Sequence, residues 1–367
     1  MDSAQQRWEE TGRRCRGELL LVHNDGSLLP APAFQCADDG PDDAACLRLR
    51  AAADAARRFT VAVRARLPQP AGPADAFGQG TGTVIDSQGH ILTNAHVVGT
   101  ADLAEVFIAG EGWASARVVG RDAWSDLAVL AADRLPPDHA RLTDAGAVRP
   151  GEMVAAVGYP AGSRLAEPAR IFLGRLRAHG RCLQGALDPQ QKHFYAALLE
   201  AAVPLAPGCS GGPLIDSDGR VIGICTAAAT DDAAKERLGY AIPISERTRP
   251  VIDRLVLGCT IEHGYLGMLV RAACATPPDG TIAGPTGVVV ERVLADEPAE
   301  RAGLRPGDII THLGNDAVQD GAQLVQLVRT KPVGARVEMR IIRGNRPVSV
   351  AVTIATRARR PAISAIQ

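Results

Sequence analysis

Three side chains in the sequence have the types and the chain order needed for acyl transfer by a serine nucleophile. His96 lies in Thr-Asn-Ala-His-Val-Val, Asp126 in Trp-Ser-Asp-Leu-Ala-Val-Leu, and Ser210 in Pro-Gly-Cys-Ser-Gly-Gly-Pro-Leu. A serine hydroxyl is a weak nucleophile until an imidazole accepts its proton, and the imidazole needs a carboxylate to fix its tautomer. The sequence therefore predicts Ser210 as nucleophile, His96 as general base and Asp126 as the residue that orients the base.

Glycines surround the candidate nucleophile. Gly208, Gly211 and Gly212 permit a tight turn in which the N–H groups of Gly208 and Ser210 converge on the carbonyl oxygen of a bound peptide. We therefore predict an oxyanion hole over Gly208, Cys209 and Ser210. A thiol nucleophile at Cys209 is the alternative to a serine nucleophile, and a small buried residue is the plainer interpretation of this cysteine.

Length and composition limit the class of protein that carries these residues. The 367 residues are enough for two or three domains, and 46% hydrophobic with 22% charged residues is typical of globular proteins. The formal net charge of -1 gives no general attraction to nucleic acid or to an anionic membrane, so neither is expected as a partner. Only 4% aromatic residues, with 38 glycines and 25 prolines, favour many short strands joined by turns.

Short β-branched runs punctuated by glycine begin at Phe59 and continue past residue 240. Turn sequences at 86–89 and 216–219 predict hairpins, and the absence of alternating helical segments favours antiparallel barrels. The segment Ser245–Leu257 predicts a closing helix that is capped by Ser245 and ended by Gly258. Beyond it, residues 263–356 predict a compact β-sandwich with two helices.

The cysteines and the N-terminus bear on the cellular compartment. Eight cysteines without a C-x-x-C pair do not indicate zinc or a thioredoxin-like motif. Cys36 and Cys46 are close enough in sequence to form a disulfide in an oxidising compartment, although free thiols are equally compatible with the sequence. We see no signal peptide at the N-terminus and no apolar run near the roughly 20 residues of a membrane span. Taken literally, the chain is expected to be cytoplasmic.

Five motifs together resemble the HtrA/Deg group of trypsin-like serine proteases, over about residues 59–356. The motifs are Gly80–Asp86, Leu92–Val98, Ser125–Leu130, Pro207–Leu214 and Gly239–Ile244. The resemblance implies a mainly β fold, with a chymotrypsin-like double β-barrel followed by a PDZ domain. It also implies no metal and no ATP, assembly as a homotrimer, and a location in the bacterial periplasm or cell envelope.

The resemblance assigns His96 as general base, Asp126 as its orienting carboxylate and Ser210 as nucleophile. Family members commonly carry Asn before the nucleophile, where this chain has Cys209. Because Ser210 is the residue that aligns with the attacking position, the resemblance favours a small buried role for Cys209.

A second stretch resembles the wall of the family's primary specificity pocket. Its candidate lining residues are Thr226, Ala227, Ala228 and Ala229. No acidic side chain lies there or just before Ser210, which argues against a preference for Lys or Arg in the substrate. The alanines predict an apolar slot for medium aliphatic side chains. The alternative is that this segment is only the end of a buried strand and lines no pocket.

The C-terminal module resembles a PDZ domain, with a second matching motif at Ala302–Ile310. The residues that match its carboxylate-binding loop are Tyr265, Leu266, Gly267 and Met268. In such loops successive N–H groups bind the terminal carboxylate of a peptide, and the next strand pairs with that peptide. A helix near Leu324, Leu327 and Val328 is expected to close the groove. The alternative is that this helix and the strand after the loop only form part of the hydrophobic core.

These observations predict a serine endopeptidase that cleaves unfolded or damaged proteins and binds peptide C-termini at the PDZ groove. A regulatory protease with one substrate and an inert peptide-binding scaffold are the alternatives. The short segment after Arg66 argues against large cages, and the five-residue linker Cys259–His263 favours communication between the domains. The predicted divisions are an N-terminal segment of unassigned role at 1–56, a protease domain at 57–258, a PDZ domain at 259–356 and a basic tail at 357–367.

Overall fold

The protein is described from a computed structural model, which covers residues 43–66, 77–134, 136, 138–163, 167–184, 194–231, 236–272 and 287–356. Two compact units make up the chain, Met1–Thr260 and Ile261–Gln367. In the ranges described, no helix is both long and apolar enough to cross a membrane.

Six antiparallel strands close the first barrel of the larger unit, in the order β1-β2-β3-β6-β5-β4. They are β1 Thr60–Arg66, β2 Phe77–Val84, β3 His90–Thr93, β4 Leu103–Ile108, β5 Gly112–Asp122 and β6 Leu127–Ala132. Gly89, at φ +109°, completes the predicted turn between β2 and β3, where Ile85 donates its N–H to the carbonyl of His90.

A second closed barrel follows, in the order β10-β11-β12-β9-β8-β7. Its strands are β7 Met153–Gly158, β8 Arg170–Gln184, β9 Phe194–Ala201, β10 Pro213–Ile215, β11 Val221–Asp231 and β12 Glu236–Pro243. Buried aliphatic side chains such as Leu176, Leu199 and Ile222 fill it, together with Cys209 and Cys225. Two six-stranded closed barrels confirm the chymotrypsin-like fold class expected from the sequence.

An N-terminal helix, α1 Asp43–Ala56, packs against β7 of the second barrel. Its buried residues recur at helical spacing: Cys46, Leu49, Ala53 and Ala56. Arg48 forms an ion pair with Asp218 in the hairpin between β10 and β11. Cys46 is disulfide-bonded. The expected partner Cys36 lies outside the described residues, so the pairing of these two cysteines stays a prediction.

The closing helix of this unit is shorter than predicted. It runs from Arg249 to Val256 as α3, and Thr248 at its N-cap position makes no side-chain cap bond. Ser245 closes the preceding turn, since its hydroxyl accepts the N–H of Thr248 at 3.4 Å and its own N–H donates to Thr248 Oγ1 at 2.9 Å. Pro250 explains the difference, because it has no N–H to donate into a turn that begins near Ser245 but fits the first turn of a helix that begins at Arg249. Gly258, at φ +69°, follows the end of the helix as expected.

The smaller unit is built on a five-strand path with two helices. Its strands are β13 Gly264–Tyr265, β14 Met268–Ala272, β15 Val288–Val293, β16 Ile309–Leu313, β17 Asp316–Ala317, β18 Arg336–Arg343, β19 Arg346–Thr353 and β20 Ala355–Thr356. Strands β14-β15-β16-β18-β19 form the main sheet, β17 pairs with β16, and β13 pairs with β20. The helices are Pro298–Arg301, or α4, and Gly321–Thr330, or α5. A short α-helix, Ala95–Val98, follows β3 in the first barrel and is α2.

Candidate active site

His96 lies in the short helix α2, directly after β3 of the first barrel. The backbone N–H of Ala95 and the side-chain amide of Asn94 both donate to the main-chain carbonyl of Asp126, at 3.1 and 3.0 Å. His96 also donates its own backbone N–H to Asp126 Oδ1 at 2.9 Å. These bonds hold helix α2 against the segment that contains Asp126, independently of the contacts of the His96 imidazole.

The imidazole of His96 faces the carboxylate of Asp126. Nδ1 lies 2.8 Å from Oδ2 and 3.0 Å from Oδ1. Because an ionised carboxylate only accepts hydrogen bonds, Nδ1 carries a proton, and Nε2 is the nitrogen that can accept one.

Asp126 is buried in the turn between β5 and β6. The carboxylate of Asp122 accepts the N–H groups of Trp124 and Ser125 and thereby fixes this turn. Burial alone would raise the pKa of Asp126, but the charge and hydrogen bonds of His96, with a hydrogen bond from Thr226, outweigh it and hold the pKa below its usual value. The carboxylate is therefore ionised at neutral pH.

Two hydroxyl groups from the second barrel also donate to Asp126 Oδ2. Thr226 Oγ1 lies 2.8 Å away and the phenol of Tyr195 lies 2.9 Å away. Thr226 is a residue that the sequence assigns to the pocket wall, and here its hydroxyl binds the acid. Tyr195 was missed, since the neighbouring residues carry no motif and the contact spans 69 positions of the chain.

Ser210 reaches the same cluster from the turn before β10. Its hydroxyl donates to the main-chain carbonyl of Thr226 at 3.2 Å. Its own carbonyl accepts the N–H of Thr81, from β2 of the first barrel, at 2.8 Å. The three candidate residues are thus held in one network, in which Thr226 links Ser210 to Asp126.

The turn before Ser210 has the geometry of an anion site. Gly208 lies at φ +91°, and a Cβ there would come within 2.5 Å of the N atom of Ala161. The N–H of Cys209 donates to the carbonyl of Ala206. By contrast, the N–H groups of Gly208 and Ser210 have no protein acceptor within the described part of the chain. Of the three residues predicted for the oxyanion hole, Gly208 and Ser210 are therefore the ones whose backbone N–H groups are available to bind an oxyanion.

Two threonines of β2 hold this turn from the first barrel. Thr81 Oγ1 donates to the carbonyl of Gly208 at 2.7 Å and accepts the N–H of Tyr159 at 2.9 Å. Thr83 Oγ1 donates to the carbonyl of Gly211 at 3.1 Å. Because Thr81 binds the carbonyl of Gly208, the turn before Ser210 is held in one orientation without a substrate.

The candidate pocket residues lie on β11, beside a bulge between Cys225 and Ala227. Ala227 and Ala229 are buried, and Ala228 is half-buried against the core of the second barrel. Residues 232–235 of the following hairpin lie outside the described residues.

The candidate carboxylate-binding loop lies between β13 and β14 of the smaller unit. The carbonyls of Leu266 and Gly267 accept the N–H groups of Ala299 and Leu294, at 2.8 and 2.9 Å. For the N–H groups of Leu266 and Gly267 themselves, the described residues provide no acceptor. Gly267 is left-handed, at φ +78°.

The three helix residues assigned to the groove are core residues. Leu324, Leu327 and Val328 of α5 are buried among the apolar side chains of the smaller unit. Met268 and Val270 of β14 are only partly buried against the same core, so they are the better candidates for an apolar groove floor.

Comparison with known proteins matches both units. Residues 80–224 match the trypsin-like peptidase domain family, and residues 257–354 match the PDZ domain family. A putative serine protease, HhoA of Synechocystis sp., is 32% identical over 302 residues, which cover 78% of this chain and 73% of HhoA. The chain belongs to the HtrA/Deg family of trypsin-like serine proteases.

Further relatives agree with this assignment. A probable periplasmic serine endoprotease, DegP-like, of Hahella chejuensis is 33% identical, over 77% of this chain and 58% of its own length. The chain thus spans less than two thirds of this DegP-like relative. An HtrA-type protease, AlgW, solved with a tripeptide, superimposes with a TM-score of 0.67 at 27% identity, over 84% of this chain and 97% of its own. The enzyme class of the family is serine endopeptidase.

Within this HtrA/Deg chain, Cys209 is poorly suited to act as a nucleophile. It is buried in the core of the second barrel, and burial raises the pKa of its thiol to about 12. Since the thiolate is the reactive form, this environment keeps the sulfur inert at neutral pH. The alternative of a thiol nucleophile is not favoured.

Proposed function

We propose that this HtrA/Deg chain hydrolyses peptide bonds in unfolded or damaged proteins through His96, Asp126 and Ser210. The observation that carries the proposal is the pairing of His96 with a buried, ionised Asp126. A nearby turn adds two N–H groups for which the described residues provide no acceptor. Acyl transfer needs a general base, a nucleophile and donors for the developing oxyanion, and we assign these roles to His96, Ser210 and the N–H groups of Gly208 and Ser210.

The first chemical step follows from the tautomer of His96. With Nδ1–H bound to Asp126, Nε2 accepts the proton of Ser210 after the hydroxyl turns from the carbonyl of Thr226 towards the ring. The serine oxygen attacks the carbonyl carbon of the substrate, and Asp126 stabilises the imidazolium that forms.

The oxyanion of the tetrahedral intermediate is placed at the N–H groups of Gly208 and Ser210. His96 then returns its proton to the leaving amine, which frees the first product and leaves an acyl ester on Ser210. Water, activated by the same imidazole, hydrolyses the ester and regenerates the serine.

Substrate choice is assigned to Ala227, Ala228 and Ala229. Short apolar side chains leave room for Val, Ala or Leu before the cleaved bond and offer no partner to Lys or Arg. We expect mass spectrometry of products from an unfolded casein-like chain to place most cleavages after aliphatic residues, with Ser210→Ala as the blank. Products dominated by Lys or Arg ends would contradict the pocket assignment.

The PDZ unit is proposed to bind peptide C-termini at the loop of Leu266 and Gly267, whose N–H groups suit a carboxylate. A location in the periplasm or cell envelope is proposed because a relative is named a periplasmic endoprotease. A homotrimer is proposed on the family resemblance alone. Sedimentation of the full chain tests the trimer, and a stable monomer would count against it.

A fluorophosphonate probe tests the proposed chemistry directly. We expect covalent labelling of the full chain that is lost in Ser210→Ala and kept in Cys209→Ala. Cys209 is the matched control, because it is the adjacent residue and carries the rival nucleophile. Labelling that survives Ser210→Ala would overturn the assignment, and an unreactive chain would favour a peptide-binding scaffold.

A further inference from the structure

Tyr195 is a buried tyrosine of the second barrel. Its hydroxyl donates a hydrogen bond to the carboxylate of Asp126 in the candidate site. Its phenol lies 2.9 Å from Asp126 Oδ2, and only 6% of the residue is exposed. A buried phenol normally needs a hydrogen-bond partner. Here that partner is the carboxylate that orients His96.

Three donors therefore share one carboxylate oxygen. His96 Nδ1 approaches Oδ2 at 2.8 Å, Thr226 Oγ1 at 2.8 Å and Tyr195 at 2.9 Å. Each donor withdraws negative charge from the oxygen and opposes rotation of the carboxylate. Asp126 comes from the first barrel, whereas Tyr195 and Thr226 come from the second.

The backbone beside Tyr195 is shaped irregularly. Strand β9 pairs Tyr195 with Leu183 and Leu198 with Arg181, so β9 has one more residue than β8 between these pairs. Ala197, inside this bulge, is left-handed at φ +62°, which is unfavourable for a residue with a Cβ. Bulges re-aim side chains near active sites, and local strain often marks functional positions.

We propose that Tyr195 is a positioning residue, which fixes the carboxylate of Asp126 and thereby sets the strength of its bond to His96. The inference rests on the proposed function, in which His96 and Asp126 act on Ser210. Tyr195 acts through its neighbours, since its hydroxyl bonds to Asp126 and also to the side chain of Thr226.

Other charged groups near the acid have their own partners. Asp122 accepts two backbone N–H groups in the turn before Asp126. Arg121 donates to Asp102 and to the carbonyl of Gly99, after helix α2. From β9 and β11, the groups that face the carboxylate are the neutral hydroxyls of Tyr195 and Thr226.

Tyr195→Phe removes the donor and keeps the ring. Its matched control is Tyr240→Phe, since Tyr240 is also 6% exposed and its hydroxyl donates to another carboxylate, Glu200, at 3.2 Å. Proton NMR of the full chain follows the Hδ1 signal of His96 during a pH titration, with His96→Gln used to assign the signal. Fluorophosphonate labelling rates are measured in parallel.

We expect Tyr195→Phe to leave more charge on Asp126 and so to favour the imidazolium. The Hδ1 signal should move downfield, the midpoint of the His96 titration should rise by about half a pH unit to one pH unit, and labelling should slow about three- to tenfold. Tyr240→Phe should change none of these. Replacing Tyr195 with 3-fluorotyrosine, whose hydroxyl is a stronger donor, should lower the midpoint of the His96 titration. This variant tests the Tyr195–Asp126 hydrogen bond even if Tyr195→Phe does not fold.

The inference is overturned if the Hδ1 signal and the midpoint in Tyr195→Phe match those of Tyr240→Phe, or if fluorotyrosine leaves them unchanged. This readout does not depend on reaction at Ser210. A chain that is never labelled, yet shows the shift, would therefore reject the proposed function and support the link from Tyr195 to His96.

Discussion

Asp126 is the residue on which the polar contacts of the site converge. Its main-chain carbonyl accepts from Asn94 and Ala95, and its carboxylate accepts from His96, Thr226 and Tyr195. A side chain that is buried and also ionised depends on such donors, because the charged form is otherwise disfavoured away from water. The site is therefore sensitive to the protonation of this one group.

The lowered pKa of Asp126 predicts how stability changes in acid. A carboxyl with a lower pKa in the folded chain stabilises the fold above its unfolded-state pKa of about 3.9, and this contribution is lost as the pH falls through the folded value. We expect the difference in Tm between the natural chain and Asp126→Asn to be largest near neutral pH and to shrink below about pH 4. Calorimetry from pH 7 to pH 3 measures it, and a difference that stays constant would contradict the assignment.

Gly208→Ala should lower catalytic activity and should also strain the fold. The new Cβ would approach Ala161 and Tyr159 in a left-handed turn, so the N–H of residue 208 would be displaced. We expect kcat/KM for a peptide substrate to fall about a hundredfold or more. Gly219→Ala is the control, because Gly219 is also left-handed at φ +74° but its Cβ would meet only Ala52, at 3.6 Å. Equal losses in both variants would speak against the oxyanion role.

At the scale of elements, helix α1 belongs to the packing of the second barrel. Leu49 is fully buried on its inner face, whereas Leu47 on the same helix is 67% exposed. We expect Leu49→Ala to lower the free energy of unfolding by about 2–5 kcal/mol and Leu47→Ala to change it by less than about 0.5 kcal/mol. Urea denaturation of the protease unit within the full chain measures both, and similar values for the two variants would show that the helix contributes little.

The two barrels could be expected from the sequence, since strand runs and turn signals at 86–89 and 216–219 are local features. His96, Asp126 and Ser210 could also be selected from the sequence, because each lies in a short motif beside a strand, and their catalytic roles stay a prediction. In contrast, the start of α3 could not be predicted from Ser245 alone, because Pro250 has no N–H to continue the turn that begins there.

The contact of Tyr195 with Asp126 could not be predicted, because it depends on a bulge in β9 and on the docking of two barrels. Neither the bulge nor the docking of the barrels produces a recognisable residue spacing in the sequence. The bond of the Thr226 hydroxyl to Asp126 could not be predicted for a related reason, and the pocket role of this residue stays a prediction. A strand residue presents its side chain to one face, and only the fold decides whether that face meets a substrate pocket or a buried acid.

For the whole molecule, the main expectation is communication between the protease and PDZ units. The linker Cys259–His263 has five residues, which span at most about 18 Å. We expect peptides with a free apolar C-terminal residue to stimulate cleavage of an unrelated reporter by about 5- to 150-fold, the range of a typical coupling energy. Amidated peptides should have no effect.

Deletion of residues 264–367 is the matching control for this coupling. The shortened chain should lose the stimulation, while Ser210 still reacts with a small fluorophosphonate. If the shortened chain responds to the peptides as the full chain does, the PDZ unit is not the sensor.

The hydrogen bonds of Asp126 also affect how the protein is made. Its partners Tyr195 and Thr226 lie 69 and 100 residues further along the chain. Translation proceeds at about 5–20 residues per second, so the acid leaves the ribosome seconds before the hydroxyls that hold it. The hydrogen-bond network around Asp126 can therefore be completed only after strand β11 has left the ribosome.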